Sequence, residues 1–191
     1  MSDFSNEPVF DALYEGVAPG GLRSKSDILL LILYMLKTMK EPISKNMIGE
    51  VMQSQGIANY FEVMGAISEL IDNGNLIYHE EDGEELLILT EQGEAAVTVV
   101  EDDIPKTIRE TAVKTTWKFK TLEKNARENE VKIEKVEDGY TITFSLSSGS
   151  SSLMELNMYV PDREQAEILK NNYIEDPVKL YSTILAALMV D

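Results

Sequence analysis

The residues that could do chemistry are few, and most carry one sign of charge. His79 is the single histidine. A general base or a pH sensor would use such a group, but the neighbouring sequence supplies neither an activated nucleophile nor a second nitrogen to share a metal. The run EEDGEE at 80–85 holds five carboxylates, enough to suggest a hard cation that takes about six to eight oxygens. Its spacing is not that of an EF-hand loop, and it is read as the solvated tip of a hairpin. Cysteine is absent, which removes disulfides, thiolate metal sites and cysteine nucleophiles. The glycine-rich pieces APGGL (18–22) and SSGSSS (147–152) contain no lysine and lead into no capped helix, so they are loops and not phosphate cradles. No catalytic residue, metal ligand or cofactor is expected, and the chain is not read as an enzyme.

The remaining chemistry lies in NYFEVMGAISELIDNG, residues 59–74. Read as a helix, it puts Tyr60, Met64, Ile67 and Ile71 toward a core, leaving Asn59, Glu62, Val63, Ala66 and Glu69 outward. A surface that neutralises phosphates needs cations, because non-specific affinity comes mainly from counterion release. This face has none. Asn59 could pair with adenine and Glu62 could accept from a cytosine amine. Lys45, next to Ser44 at the start of the preceding helix, sits where free amides and the helix dipole favour a phosphate. Arg23 and Lys25 precede the first helix. Ser44, Lys45, Asn59, Glu62, Val63, Arg23 and Lys25 are therefore the candidates for nucleic-acid contact. Up to residue 100 the chain has five Lys and Arg against seventeen Asp and Glu, a balance of −12. Residues 105–127 reverse it, with seven cations against two acids. Lys114, Lys118, Lys120 and Lys124 make a basic helix with Trp117 among them, which suits stacking on single-stranded nucleic acid or a solvated face that complements the acidic hairpin. Alternatively the small, uncharged Val63, Gly65 and Ala66 let another protein's backbone approach closely.

The elements that position these residues follow from periodicity and caps. Ser26 can cap DILLLILYMLKTMK, Ser44 caps KNMIGEVMQSQ and Asn59 caps the helix just described. Two strands at 76–80 and 85–89 flank Asp82-Gly83, a tight-hairpin pair, and Thr90 caps a fourth helix. A long helical pattern covers 104–125. A second hairpin joins VKIEKV to YTITFSL, with a third strand at 153–160. Asp162 with Gln165 starts one helix, and Asp176-Pro177 starts the last. Val178, Tyr181, Ile184, Leu185 and Leu188 form one stripe of that helix, suited equally to a core or to a dimer seam.

Helix, helix, helix, hairpin, helix is the order of a winged helix-turn-helix. The run ISELIDNGNLIYHEEDGEELLILTEQGEAAV resembles the third helix, wing and following helix of PadR-like and MarR-like regulators, through Leu70, Gly74, Leu76, Ile77, Leu89, Thr90 and Gly93. With its second half, the chain is similar to an uncharacterised bacterial winged-helix family, a domain of unknown function. The resemblance implies an α+β fold: an irregular leader (1–23), a winged helix-turn-helix (24–103), a linker helix (104–127) and a small α+β domain (128–191). It implies a transcriptional regulator that binds DNA as a homodimer. Local charge implies instead a winged-helix module that binds a protein partner. The net charge of −17 among 191 residues opposes generic attraction to nucleic acid or anionic membrane. MSDFSNEP carries no signal-peptide pattern, the longest apolar run falls far short of the ~20 residues of a membrane span, and a cytoplasmic protein is expected.

Overall fold

The computed structural model of the chain describes residues 16–81, 83–100, 103–149 and 151–189. Among these are seven helices and two three-stranded antiparallel sheets, an α+β architecture. The chain divides into two compact units, Met1–Trp117 and Lys118–Asp191. Most of the leader expected at 1–23 lies outside the described residues.

In the first unit, α1 (Lys25–Met39) is apolar over most of its surface because Ile28, Leu31, Ile32, Leu33, Met35 and Leu36 are all buried. Its N-cap is Ser24, not the expected Ser26. No side-chain cap bond forms there, and the Ser24 carbonyl instead accepts from the Asp27 and Ile28 amides. The short strand β1 (Ile43–Ser44) follows and leads directly into α2 (Lys45–Ser54). Ser44 caps α2 as expected, its hydroxyl accepting from the Met47 amide at 3.2 Å. Gly56, at φ +61°, turns the chain toward α3 (Tyr60–Asp72). Asn59 caps α3 by accepting from the Phe61 amide at 2.8 Å. Residues 18–22 run along this turn, with the Ala18 and Leu22 amides donating to the Gly56 and Ile57 carbonyls.

The hairpin comprises β2 (Leu76–Glu81) and β3 (Glu84–Leu89), paired in register from Leu76 with Leu89 to Glu81 with Glu84. β1 adds to the far side of β3, so the sheet order is β1-β3-β2. Two residues are too few for a period-two signal, which is why the sequence does not announce β1. The hairpin opens and closes at one knot. The Thr90 amide donates to the Asn75 carbonyl, and the Thr90 hydroxyl lies within bonding distance of the Gly74 and Asn75 carbonyls. The same hydroxyl accepts from the Gly93 amide and so caps α4 (Glu91–Val100). Gly93 lies so close to the Asn75 carbonyl that a Cβ would collide with it. The leucine-threonine-x-x-glycine pattern thus has a local cause: Thr90 satisfies carbonyls at the end of α3, and Gly93 leaves room for them.

The core of this unit is built from α1, α2 and α3, with Leu76, Leu87 and Val97 from the hairpin and α4. α3 presents Val63, Ala66, Ile67 and Leu70 to it. This corrects the expected phase. Val63 and Ala66 are fully buried, whereas Tyr60, Met64 and Ile71 are half-buried at the edge. Tyr60 and Met64 instead lie over Gly49 of α2, where a Cβ would fall 2.5 Å from the Tyr60 ring. The outward line is Phe61, Gly65, Ser68 and Asp72. α5 (Lys106–Glu128) then runs from the first unit into the second, burying Ala112 and Thr116.

The second unit holds β4 (Val131–Val136), β5 (Gly139–Ser148) and β6 (Ser151–Val160) in that order, followed by α6 (Arg163–Glu175) and α7 (Pro177–Leu188). β5 alternates strictly, so Ile142, Phe144 and Leu146 point to one buried face. Against it pack Ala166 and Tyr173 of α6. The Tyr173 and Phe144 rings are 4.9 Å apart, and the Tyr173 hydroxyl donates to the Ser145 carbonyl at 3.0 Å. Burial raises the Tyr173 phenol above its ordinary pKa. Asp162 and Asp176 cap α6 and α7 through the Gln165 and Lys179 amides.

Candidate functional site

The candidate face of the first unit is formed by α3, the start of α2 and the hairpin. Its geometry follows from two short-range facts. β1 places Lys45 beside β3, and the phase of α3 turns Phe61, Gly65, Ser68 and Asp72 toward solvent. A groove of about 220 Å³ lies between these elements, lined by Lys45, Ser68, Ile71, Asp72, Tyr78, Glu85 and Leu87.

Two of the three cations proposed there for phosphate contact are already engaged with acids. Lys45 Nζ bonds Glu85 of β3 at 3.1 Å. Lys25 pairs with Glu69 of α3, and this hydrogen bond, followed by the Glu69 charge and a weaker pull from Glu62, holds the Lys25 ammonium above its ordinary pKa. Arg23 is exposed at the approach to α1. Ser44 is buried with its hydroxyl occupied by the cap. Asn59 keeps its carboxamide oxygen on the Phe61 amide, and Glu62 is half-buried.

The structure thus gathers Lys25, Glu62 and Glu69 on one side of α3 and Lys45 with Glu85 on the other. Val63 and Ala66 belong to neither, because both are in the core. Of the three residues expected to admit a partner backbone, only Gly65 is exposed, and a Cβ there would meet nothing within 4 Å. The exposed line of α3 therefore lies about one residue away in helical phase from the expected one. Sequence reading misses its largest member, Phe61, which is 80% exposed. A signal for it exists: an aromatic at the first turn that fits neither apolar stripe.

On the hairpin, Glu80 faces Glu85 and Glu81 faces Glu84 across the strands, a destabilising like-charge ladder that the Lys45 ion pair relieves at one rung. Tyr78 is 58% exposed, and His79, opposite Leu86, is exposed. No group of three or more potential metal ligands occurs among the described residues.

The basic helix is divided. Lys114 belongs to the first unit, whereas Lys118, Lys120 and Lys124 belong to the second. Several of its charges have local partners: Lys106 with Glu110, Lys118 with Glu175 at 2.8 Å, and Lys124 with Glu128. Arg109 stacks over the Tyr34 ring, 5.3 Å from its centre. Lys118 holds Glu175 below the usual carboxylate range, first through the hydrogen bond and then through its charge. Trp117 is half exposed. No described helix is long and apolar enough to cross a membrane.

Comparison with curated proteins and with solved structures gives no match. A family model described as a domain of unknown function, DUF4364, matches residues 28–188, which takes in every helix and sheet above except the first turn of α1. The protein therefore belongs to the DUF4364 family.

Proposed function

We propose that the first unit is a winged-helix-type regulatory module that docks a basic protein segment on its α3 face and does not bind duplex DNA. The element order α1-β1-α2-α3-β2-β3-α4, with the sheet order β1-β3-β2, supports the winged-helix reading. One observation carries the choice of partner. Lys25 and Lys45, the cations flanking α3, are each bound to a carboxylate of the same unit, so neither brings uncompensated positive charge to a phosphate. What α3 and the hairpin offer instead is Phe61 and Tyr78, both exposed, with the exposed carboxylates of Asp72, Glu80 and Glu84, which take no part in those two pairs, on the same two elements. Arginine and lysine side chains recognise such a combination through carboxylate pairing and aromatic faces.

DNA binding by a homodimeric transcriptional regulator is the second reading. It is favoured by the same element order and by the seven cations of 105–127. A titration against duplex DNA at low and moderate salt separates the two. The protein-docking reading expects no binding even at low salt, and steep salt-dependent binding would replace it with the DNA reading. In parallel, short peptides of graded charge are titrated against the wild type and a Phe61→Ser variant, which leaves net charge unchanged. Loss of basic-peptide affinity in the variant supports the face, and equal affinity removes it.

A further inference from the structure

We infer that α7 carries a helix-pairing seam through which two copies of this chain associate. The inference is independent of what the α3 face binds. The inner side of α7 packs on the second unit's core, where Pro177 is buried and Leu180 is half-buried against the Phe144 and Tyr173 cluster. The adjoining flank of the helix is apolar and uncovered: Val178 is 62% exposed, Leu185 41% and Leu188 78%, with Tyr181 half-buried between them. Met189, just past the helix end, is 81% exposed.

Positions 178, 181, 185 and 188 are spaced three, four and three, the a and d positions of a heptad. That spacing fits another helix carrying the same repeat, whose side chains interleave with it. It does not suit an extended strand or a small molecule.

Charge selects the occupant. The chain carries −17 overall, so most faces of two copies repel one another. From Pro177 to Met189 the only charged residue is Lys179, and one residue beyond Val178 it turns about 100° away from the stripe. The seam is thus a surface where two copies can meet without opposing like charges, and a partner chosen by charge finds nothing to pair with. α1, α2 and α3 turn their apolar stripes into their own core. α4, α5 and α6 each expose a single large apolar side chain, Val99, Trp117 and Ile168, and no such row. Among the described helices the matching exposed stripe is therefore a second α7, brought opposite by two-fold symmetry.

The affinity follows from size. Twelve residues make a helix about 18 Å long, too short to bury alone the ~800 Å² per partner of a standard stable interface. The dimer is accordingly reversible, with a dissociation constant in the micromolar range.

Sedimentation equilibrium of the full chain tests this. From low to several hundred micromolar, the mass should rise from the 21.4 kDa monomer toward twice that value. Leu185→Glu and Leu188→Glu place a charge in the seam and should each weaken association by roughly 100-fold or more. Leu188→Gln, which adds no charge, should weaken it less. Both side chains are exposed, so circular dichroism should show the variants folded. Lys170→Glu, on the exposed side of α6, changes net charge more and should leave the dimer intact. A wild type that stays monomeric throughout overturns the proposal, as do Leu185→Glu and Leu188→Glu variants that dimerise like the wild type. Equal dissociation by Lys170→Glu also overturns it, because bulk charge would then govern association.

Discussion

Single side chains in this protein mostly satisfy hydrogen bonds and charges close to themselves. Tyr173 is the clearest case, since its ring closes the core over Phe144 while its hydroxyl serves the Ser145 carbonyl. Tyr173→Phe keeps the ring and loses one hydrogen bond, so it should cost about 1 kcal/mol in denaturant unfolding. The sign of its pH dependence follows from burial, which raises the phenol's pKa in the folded state. Tyr173 therefore contributes fully below the unfolded value of about 10, and its contribution disappears as pH rises through the higher folded value. Thermal melts of the wild type should lose stability in that alkaline range more steeply than melts of Tyr173→Phe; parallel curves would show that the phenol is not the group responsible. The candidate site is only partly legible at this scale. Lys45 stands out by its position at a helix start, but its partner Glu85 is forty residues away, and no local pattern announces a pair that depends on how β1 meets β3.

Elements are legible where a side chain serves its own backbone. Ser44, Asn59, Thr90 and Asp162 cap the helices that the sequence assigns them, because a cap is decided within three residues. The phase of α3 is not, for a physical reason. Two apolar stripes overlap on that helix and share Ile67, one through Tyr60, Met64 and Ile71, the other through Val63, Ala66 and Leu70. Amphipathicity cannot rank them. The close approach of α2 does, because Gly49 leaves space that only the Tyr60 and Met64 edge can occupy. Gly93 makes a comparable demand with less freedom, since its neighbour is the Asn75 carbonyl and backbone cannot swing aside. Gly93→Ala should destabilise the first unit by roughly 2 kcal/mol despite its better helix propensity. Hydrogen exchange at the start of α4 would register that loss, and an unchanged profile would mean that the contact relaxes freely.

Charge governs how the whole molecule responds to its solvent. A net −17 opposes compaction by self-repulsion, and added salt screens it over a Debye length of about 10 Å at 0.1 M. The thermal midpoint should therefore rise between very low and moderate sodium chloride, before any specific-ion effect; a falling midpoint would mean that ion pairs such as Lys45 with Glu85 outweigh the repulsion. The hairpin concentrates this charge on a support that does not depend on it. Both of its ends are tied at Asn75 and Thr90, while the turn at Gly83 lies in solvent. A protease that nicked the chain at that turn would leave two fragments gripping each other, and the acidic tip could be exchanged for a neutral or basic one with the scaffold intact. The polarity of this surface is thus a replaceable part.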